Sequence, residues 1–308
     1  MRIKKILLFI GFFIFLAIGA YFGQQYYTGL QKAKQERLIQ EARKTAWQGL
    51  QQRIKNEISQ FKGETGIAII DLETGWEFSY EKAKLFPSAS LAKIPLMAAC
   101  FLAADQGRIK LGRNIALKSA DKLTGSGVLK DMPAGSIFSV ERLIGLMIYD
   151  SDNTATSIIT DLAGIDYLNN AFKGFGLKNT DLSRKIADYQ SRDNGIENYT
   201  TAEDMALLLE KIYRRKLGNT YVSQQCIRIL KLTRMNDRIP KYLPVEITIA
   251  HKTGLENGVC HDAGIVFTRR GDFIIAVLTK HANANSNLSK ELIAKVSLYA
   301  YKYFEQLQ

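Results

Sequence analysis

The chain has 308 residues, 46% of them hydrophobic and 23% charged, with 5 prolines. That is enough apolar material for a full core, and it excludes an intrinsically disordered, collagen-like or mucin-like chain. Half of the formal +12 charge falls in residues 1–45, which carry 8 basic and 2 acidic side chains; the remaining 34 basic and 28 acidic residues make an ordinary surface. No nucleic-acid-binding signature accompanies the excess, so nucleic acid is not an expected partner.

Arg2, Lys4 and Lys5 precede a run without charge from Ile6 to Tyr27, most apolar between Ile6 and Phe22. About 20 residues at a 1.5 Å rise cross a bilayer, so segment 1–27 reads as a membrane anchor or as the apolar part of a signal peptide. The anchor is the favoured reading, because Ala17-Ile18-Gly19-Ala20 offers small residues without the usual cleavage pattern. The basic flank favours a cytoplasmic N-terminus, which puts all that follows Tyr27 outside the membrane: a single-pass protein, or a secreted one if the segment is removed. From Thr28 to Phe61, apolar residues recur every three to four positions, at Ile39, Ala42, Ala46, Leu50, Ile54, Ile58 and Phe61. That spacing predicts an amphipathic helix, a stalk over 28–45 and then a part packed on a domain spanning 46–308.

Two strands are expected at Thr65–Leu72 and Trp76–Glu81, and helices at Ser88–Gln106, Ser139–Tyr149, Asp152–Ala163, Tyr167–Phe175, Ala202–Arg214 and Val222–Thr233. Strands follow at Val245–His251, Asp262–Thr268 and Phe273–Thr279, then a helix over Leu288–Phe304. Strands at both ends with helices between them predict an α+β domain, with an antiparallel sheet of about five strands flanked by helices and an inserted all-α lobe. A cleft is expected where the lobes meet. Cys100, Cys226 and Cys260 are too widely spaced for a metal set, and His251, His261 and His281 fit no zinc pattern, so neither metal nor cofactor is expected.

A serine followed three residues later by lysine can bring an amine to a nucleophilic hydroxyl on a helix, but the pattern occurs four times, at Ser59/Lys62, Ser79/Lys82, Ser90/Lys93 and Ser119/Lys122. Only Ser90 opens a helix that then runs apolar, where unpaired N–H groups and the helix dipole favour an anionic intermediate. Pro95 in that helix removes a donor for the carbonyl of Leu91, a local cost of the kind that marks functional sites. Ser151-Asp152-Asn153 lies between two helices, and Lys252-Thr253-Gly254 lies at the end of a strand. Each also has a plain structural reading, as a helix N-cap and as a strand terminus.

Phe86-Pro87-Ser88-Ala89-Ser90-Leu91-Ala92-Lys93, Ser151-Asp152-Asn153-Thr154-Ala155 and Lys252-Thr253-Gly254, in that order, resemble the class A β-lactamases and the related penicillin-binding D,D-peptidases. Ile67–Gly75, Thr200-Thr201-Ala202 and Asp262-Ala263-Gly264 extend the resemblance over residues 46–308. It implies the β-lactamase/D,D-peptidase-like fold and a serine acyl-enzyme mechanism. Ser90 would be the nucleophile, Lys93 a general base, and Ser151, assisted by Lys252, a proton relay to the leaving nitrogen. Thr253 would bind a substrate carboxylate and Asn153 a substrate amide. The N–H groups of Ser90 and Leu255 would form an oxyanion hole, and Gly254 would leave the strand edge open for substrate. Asp152 is expected to be structural.

The resemblance departs in the omega loop. The family's Glu-x-x-Leu-Asn pattern is absent, and the corresponding stretch reads Arg184-Lys185-Ile186-Ala187-Asp188-Tyr189. Asp188 is the nearest carboxylate and the candidate deacylation base; Asp181, Asp193 and Glu197 read as solvated loop residues. The expected function is therefore a β-lactamase-type serine hydrolase acylated at Ser90 by β-lactams and discharged slowly. The alternatives are a peptidoglycan D-Ala-D-Ala carboxypeptidase, with a stem peptide as substrate, and a non-catalytic β-lactam sensor or wall-binding module. A monomer is expected.

Overall fold

The computed structural model describes residues 2–281 and 285–306, without the side chains of residues 2, 4, 5, 7, 9 and 17. One continuous helix, α1, runs from Arg2 to Gln60. No Pro interrupts it, and its Gly residues do not break it. Among the described residues no helical stretch is both long and apolar enough to cross a membrane. The run Ile6–Phe22 expected to do so includes Leu7, Phe9 and Ala17, whose side chains lie outside that description.

The packed part of α1 begins at Arg43. Its guanidinium, 8% exposed, meets Asp71 at 2.8 Å and Tyr303 at 3.1 Å, while Trp47, Leu50 and Ile54 are buried on the same face. A fragment starting at Trp47 should thus be less stable than one starting at residue 40, by about 2 kcal/mol. Asp71 would lose its buried cation yet keep the hydroxyl of Tyr303 and the N–H groups of Glu73 and Thr74. Urea unfolding of the two fragments checks this; equal midpoints would refute it.

Two strands follow, β1 (Glu64–Asp71) and β2 (Glu77–Tyr80), then a short β3 (Phe86–Pro87), a 3₁₀ turn over Ala89–Ala92 and α2 (Lys93–Asp105). The expected helix at Ser88–Gln106 is thus split at Lys93. Pro95 consequently falls in the first turn of α2, where its missing N–H has no helical partner to lose, and the expected local cost is not incurred. The chain continues through β4 (Asn114–Ala116), β5 (Ile137–Ser139), α3 (Val140–Tyr149), α4 (Asn153–Ala163), α5 (Ile165–Gly174), the short α6 (Tyr189–Asp193), β6 (Tyr199–Thr200), α7 (Ala202–Tyr213) and α8 (Thr220–Leu230). It closes with β7 (Thr248–Glu256), β8 (Val259–Phe267), β9 (Phe273–Lys280) and α9 (Asn287–Glu305). Capping side chains set several helix starts: Ser139, Asp152, Thr201 and Asn219 accept N–H bonds ahead of α3, α4, α7 and α8.

The sheet is antiparallel and five-stranded, in the order β2-β1-β9-β8-β7, so strands from both chain ends join in one sheet as expected, the N-terminal pair beside the C-terminal three. Its two faces are covered differently. A core of Trp47, Ile54, Ile69, Ile275, Val296 and Phe304 joins the sheet to α1 and α9. The larger core on the other face surrounds α2, which is buried along almost its whole length. β7 starts at Thr248, three residues later than expected, and continues to Glu256; Lys252-Thr253-Gly254 therefore lies inside the strand rather than at its end. The ladder with β8 carries the strand through it, pairing Lys252 with Ala263 and Gly254 with His261. Because β7 is an edge strand, its free side faces the helical lobe and the turn before α2.

Candidate active site

Ser90, Lys93, Ser151, Asn153 and Lys252 lie up to 162 positions apart in the sequence and meet in one hydrogen-bonded group. The hydroxyl of Ser151 lies 2.9 Å from that of Ser90 and 3.1 Å from the amines of both Lys93 and Lys252. Lys93 also reaches the Ser151 carbonyl at 2.7 Å and Asn153 Oδ1 at 3.1 Å, and Lys252 the Thr253 carbonyl at 2.8 Å. Lys93 thus communicates with Ser90 through Ser151.

The backbone aims these groups at some cost. Ala89 and Ser151 adopt φ of +44° and +54°, a region residues with a Cβ seldom occupy; Ala89 precedes Ser90, and Ser151 carries the hydroxyl that joins Ser90 to both lysines. Asp152 anchors the second segment. Its carboxylate accepts the N–H of Ala155 at 2.8 Å, capping α4, and those of Val128 and Leu129 at 2.7 and 2.8 Å. Gly127 permits this approach, since a Cβ there would lie 2.3 Å from the Asp152 carboxylate. At Gly254 the fit is looser: a Cβ would lie 3.2 Å from the His261 ring and 3.4 Å, an ordinary contact, from the Ala89 Cβ, so β7 runs alongside the turn that holds Ser90. Thr253 is buried, and the side chain of Leu255 is exposed.

Both lysines are fully buried. Burial lowers the Lys93 pKa to about 7 against the opposing pull of Asp152 and Glu256. Lys252 is lowered too, by burial and then by the nearby Lys93. Two ammonium groups sharing one hydroxyl repel each other, so their titration belongs to the pair. A neutral Lys93 suits its surroundings. Two of its three neighbours accept only, so two N–H bonds satisfy them and the lone pair remains for the Ser151 hydroxyl. The chain Ser90 Oγ–H, Ser151 Oγ–H, Lys93 Nζ can then carry a proton away from the nucleophile.

His261, read from the sequence as one of three histidines outside any metal pattern, is tied to this group. Its Nε2 donates to the Pro87 carbonyl at 2.8 Å while Nδ1 accepts the Thr279 N–H at 3.1 Å, fastening the turn before Ser90 to the sheet. Burial lowers its pKa to about 4, so the neutral tautomer persists. Only the pairing of β8 with β9 and β7 could have revealed this.

The loop from Gly176 to Asn198 is closed at its neck by Arg184 and Glu197, 2.6 Å apart and both largely buried. Glu197, expected to be solvated, is thus a structural partner. Asp188 does not join the Ser90 group. Its oxygens accept the N–H and hydroxyl of Ser191 at 3.0 and 2.7 Å, capping α6, and these bonds hold it below the usual carboxylate range. Ile186, two residues earlier, is buried.

Known proteins share this architecture. The beta-lactamase VEB-1 of Pseudomonas aeruginosa is 23% identical over 270 residues, 82% of this chain and 89% of that one. The beta-lactamase of Sphaerobacter thermophilus is 28% identical at a TM-score of 0.77, covering 85% of this chain and 99% of that one. PBP-A, also at 0.77, is 31% identical over 84% of this chain and 97% of its own; one mutant of it was solved as an acyl-enzyme with penicillin G. With residues 49–304 matching the family's profile, the chain belongs to the beta-lactamase enzyme family.

Proposed function

We propose that this protein is a serine hydrolase whose Ser90 is acylated by β-lactam amides, with slow release of the ester. The observation that carries the reading is the convergence of Ser90, Lys93, Ser151 and Lys252 on a single hydrogen-bond network. Ser90 Oγ bonds to the amide carbonyl carbon as its proton passes through Ser151 to Lys93. The C–N bond then breaks, and Ser151 returns a proton to the leaving nitrogen, drawing on the lysine pair. The residual charge of that pair and the hydroxyl of Thr253 suit a substrate carboxylate. The N–H groups of Ser90 and Leu255 serve as the oxyanion hole, each such donor contributing about 3 kcal/mol. Asn153 holds the substrate amide.

Slow release is supported by the loop, where both oxygens of Asp188 are engaged elsewhere. The same observation favours a second reading, a carboxypeptidase of peptidoglycan D-Ala-D-Ala stems, whose leaving group departs and makes room for water. The helix α1 supports membrane attachment. It exposes Ile6, Leu8, Phe12, Phe13, Phe15 and Phe22 well clear of the domain, and the run Ile6–Phe22 spans roughly 26 Å at 1.5 Å per residue. Membership of a typically extracytoplasmic family supports a catalytic domain outside the cytoplasm.

Intact mass of the full chain incubated with penicillin G tests the reading. A mass adduct on Ser90 that outlasts removal of free antibiotic is the expected result. Rapid return to the free mass with the antibiotic destroyed would reject slow release, and D-Ala liberated from a stem peptide would select the carboxypeptidase.

A further inference from the structure

A carboxylate stands beside the Ser90 group that no motif includes. Glu256 ends β7, on the face that strand alternation shares with Lys252 and Gly254. Lys252 touches Ser151, and Gly254 passes against Ala89, next to the nucleophile. Two residues farther along, about 7 Å at the usual strand rise, stands Glu256, near enough to Lys93 for their charges to interact and beneath two arginines of the loop. The loop closes over it, with Arg184 and Arg192 each 3.9 Å from Oε2. Both arginines have nearer partners, Arg184 in Glu197 at 2.6 Å and Arg192 in Asp193 at 3.3 Å, with Arg192 also over the ring of Tyr189. The Glu256 side chain is only 14% exposed, yet among the described residues its carboxylate accepts no hydrogen bond, those of the two arginines going to Glu197 and Asp193. Its lone pairs remain for water.

We propose that Glu256 is the general base that activates water against the Ser90 ester, a role that the omega-loop carboxylates leave vacant. The inference rests on the acyl-enzyme reading above. Water bonds to the ester carbonyl carbon as Glu256 takes one of its protons. The tetrahedral intermediate collapses by breaking the bond to Ser90 Oγ, which is reprotonated through Ser151 from the lysine pair. The pair regains that proton from solvent as Glu256 gives up its own. Burial raises Glu256 above the usual carboxylate range despite Arg184 and Arg192, which strengthens it as a base, and the carboxylate and Lys93 favour each other's charged forms. The two loop arginines draw the carboxylate toward the loop.

The test acylates the full chain with penicillin G, removes free antibiotic and follows loss of the Ser90 adduct by intact mass across pH. In the parent chain, release should rise with pH as Glu256 ionises and then level off. Glu256→Gln should release at least tenfold more slowly and lose that limb, while acylating within threefold of the parent, which shows the site intact. Glu256→Asp should recover part of the rate. Release from Glu256→Gln at the parent rate overturns the proposal and leaves the acyl-enzyme reading standing. Loss of acylation together with release overturns it in favour of a purely structural part. Absence of any adduct in the parent overturns that reading and the proposal together.

Discussion

With alanine in place of Lys93, acylation of Ser90 by penicillin G should slow by about 10²–10⁴-fold, the usual range for a positioned general base. The side chain is fully buried, and its other bonds go to the Ser151 carbonyl and Asn153, so some of the loss will come from a displaced Ser151. Lys93→Arg separates the two effects. It keeps a long cationic side chain but cannot surrender a proton near neutral pH, so it should be nearly as slow as alanine. The pH profile gives the sign. The base form of Lys93 is the neutral amine, so acylation should increase as pH rises through about 7 and level off above it. Stopped-flow or quenched mass measurements on either side of that midpoint check this. A flat profile, or a Lys93→Ala variant within a factor of ten of the parent, would remove Lys93 from the role of base.

Asp152→Ala should be the most destabilising single change at the site, by about 4 kcal/mol. One buried carboxylate accepts three N–H groups, capping α4 and holding Val128 and Leu129. Removing it leaves the buried N–H groups of Leu129 and Ala155 unpaired, where each costs about 1–3 kcal/mol, and the part-buried one of Val128 without its acceptor. Asp152→Asn keeps the shape and part of the acceptor capacity and should lose about half as much. Chemistry should change in the same variants. Asp152 favours the charged form of Lys93, so its loss should move the acylation midpoint to lower pH. Urea unfolding gives the stability and the pH profile gives the shift. A loss below about 1 kcal/mol for Asp152→Ala would mean the three bonds are dispensable.

Much of the fold was written locally. Asp152 announced its helix because a side-chain oxygen just ahead of a helix satisfies N–H groups that the helix itself cannot. The apolar run after Ser90 announced a buried helix, and strands at both chain ends announced a sheet assembled from both. Where local reading fell short, a distant partner decided. α1 runs unbroken from Arg2, and its packed part begins at Arg43 because Asp71 and Tyr303 wait for that guanidinium. β7 continues through Lys252-Thr253-Gly254 because β8 pairs with it to Glu256.

The candidate site divides in the same way. Its letters, a serine with a lysine one turn on and two short segments downstream, are legible by themselves, since helical periodicity and chain order are properties of sequence. Which carboxylate faces the ester is not. Asp188 looked closest by position, but the loop turns it toward Ser191, while strand pairing carries Glu256, outside every motif, under the loop beside Arg184 and Arg192. Composition and spacing determined the chemistry the chain can hold. Only long-range packing, through the sheet ladder and the folded loop, decided which side chains meet.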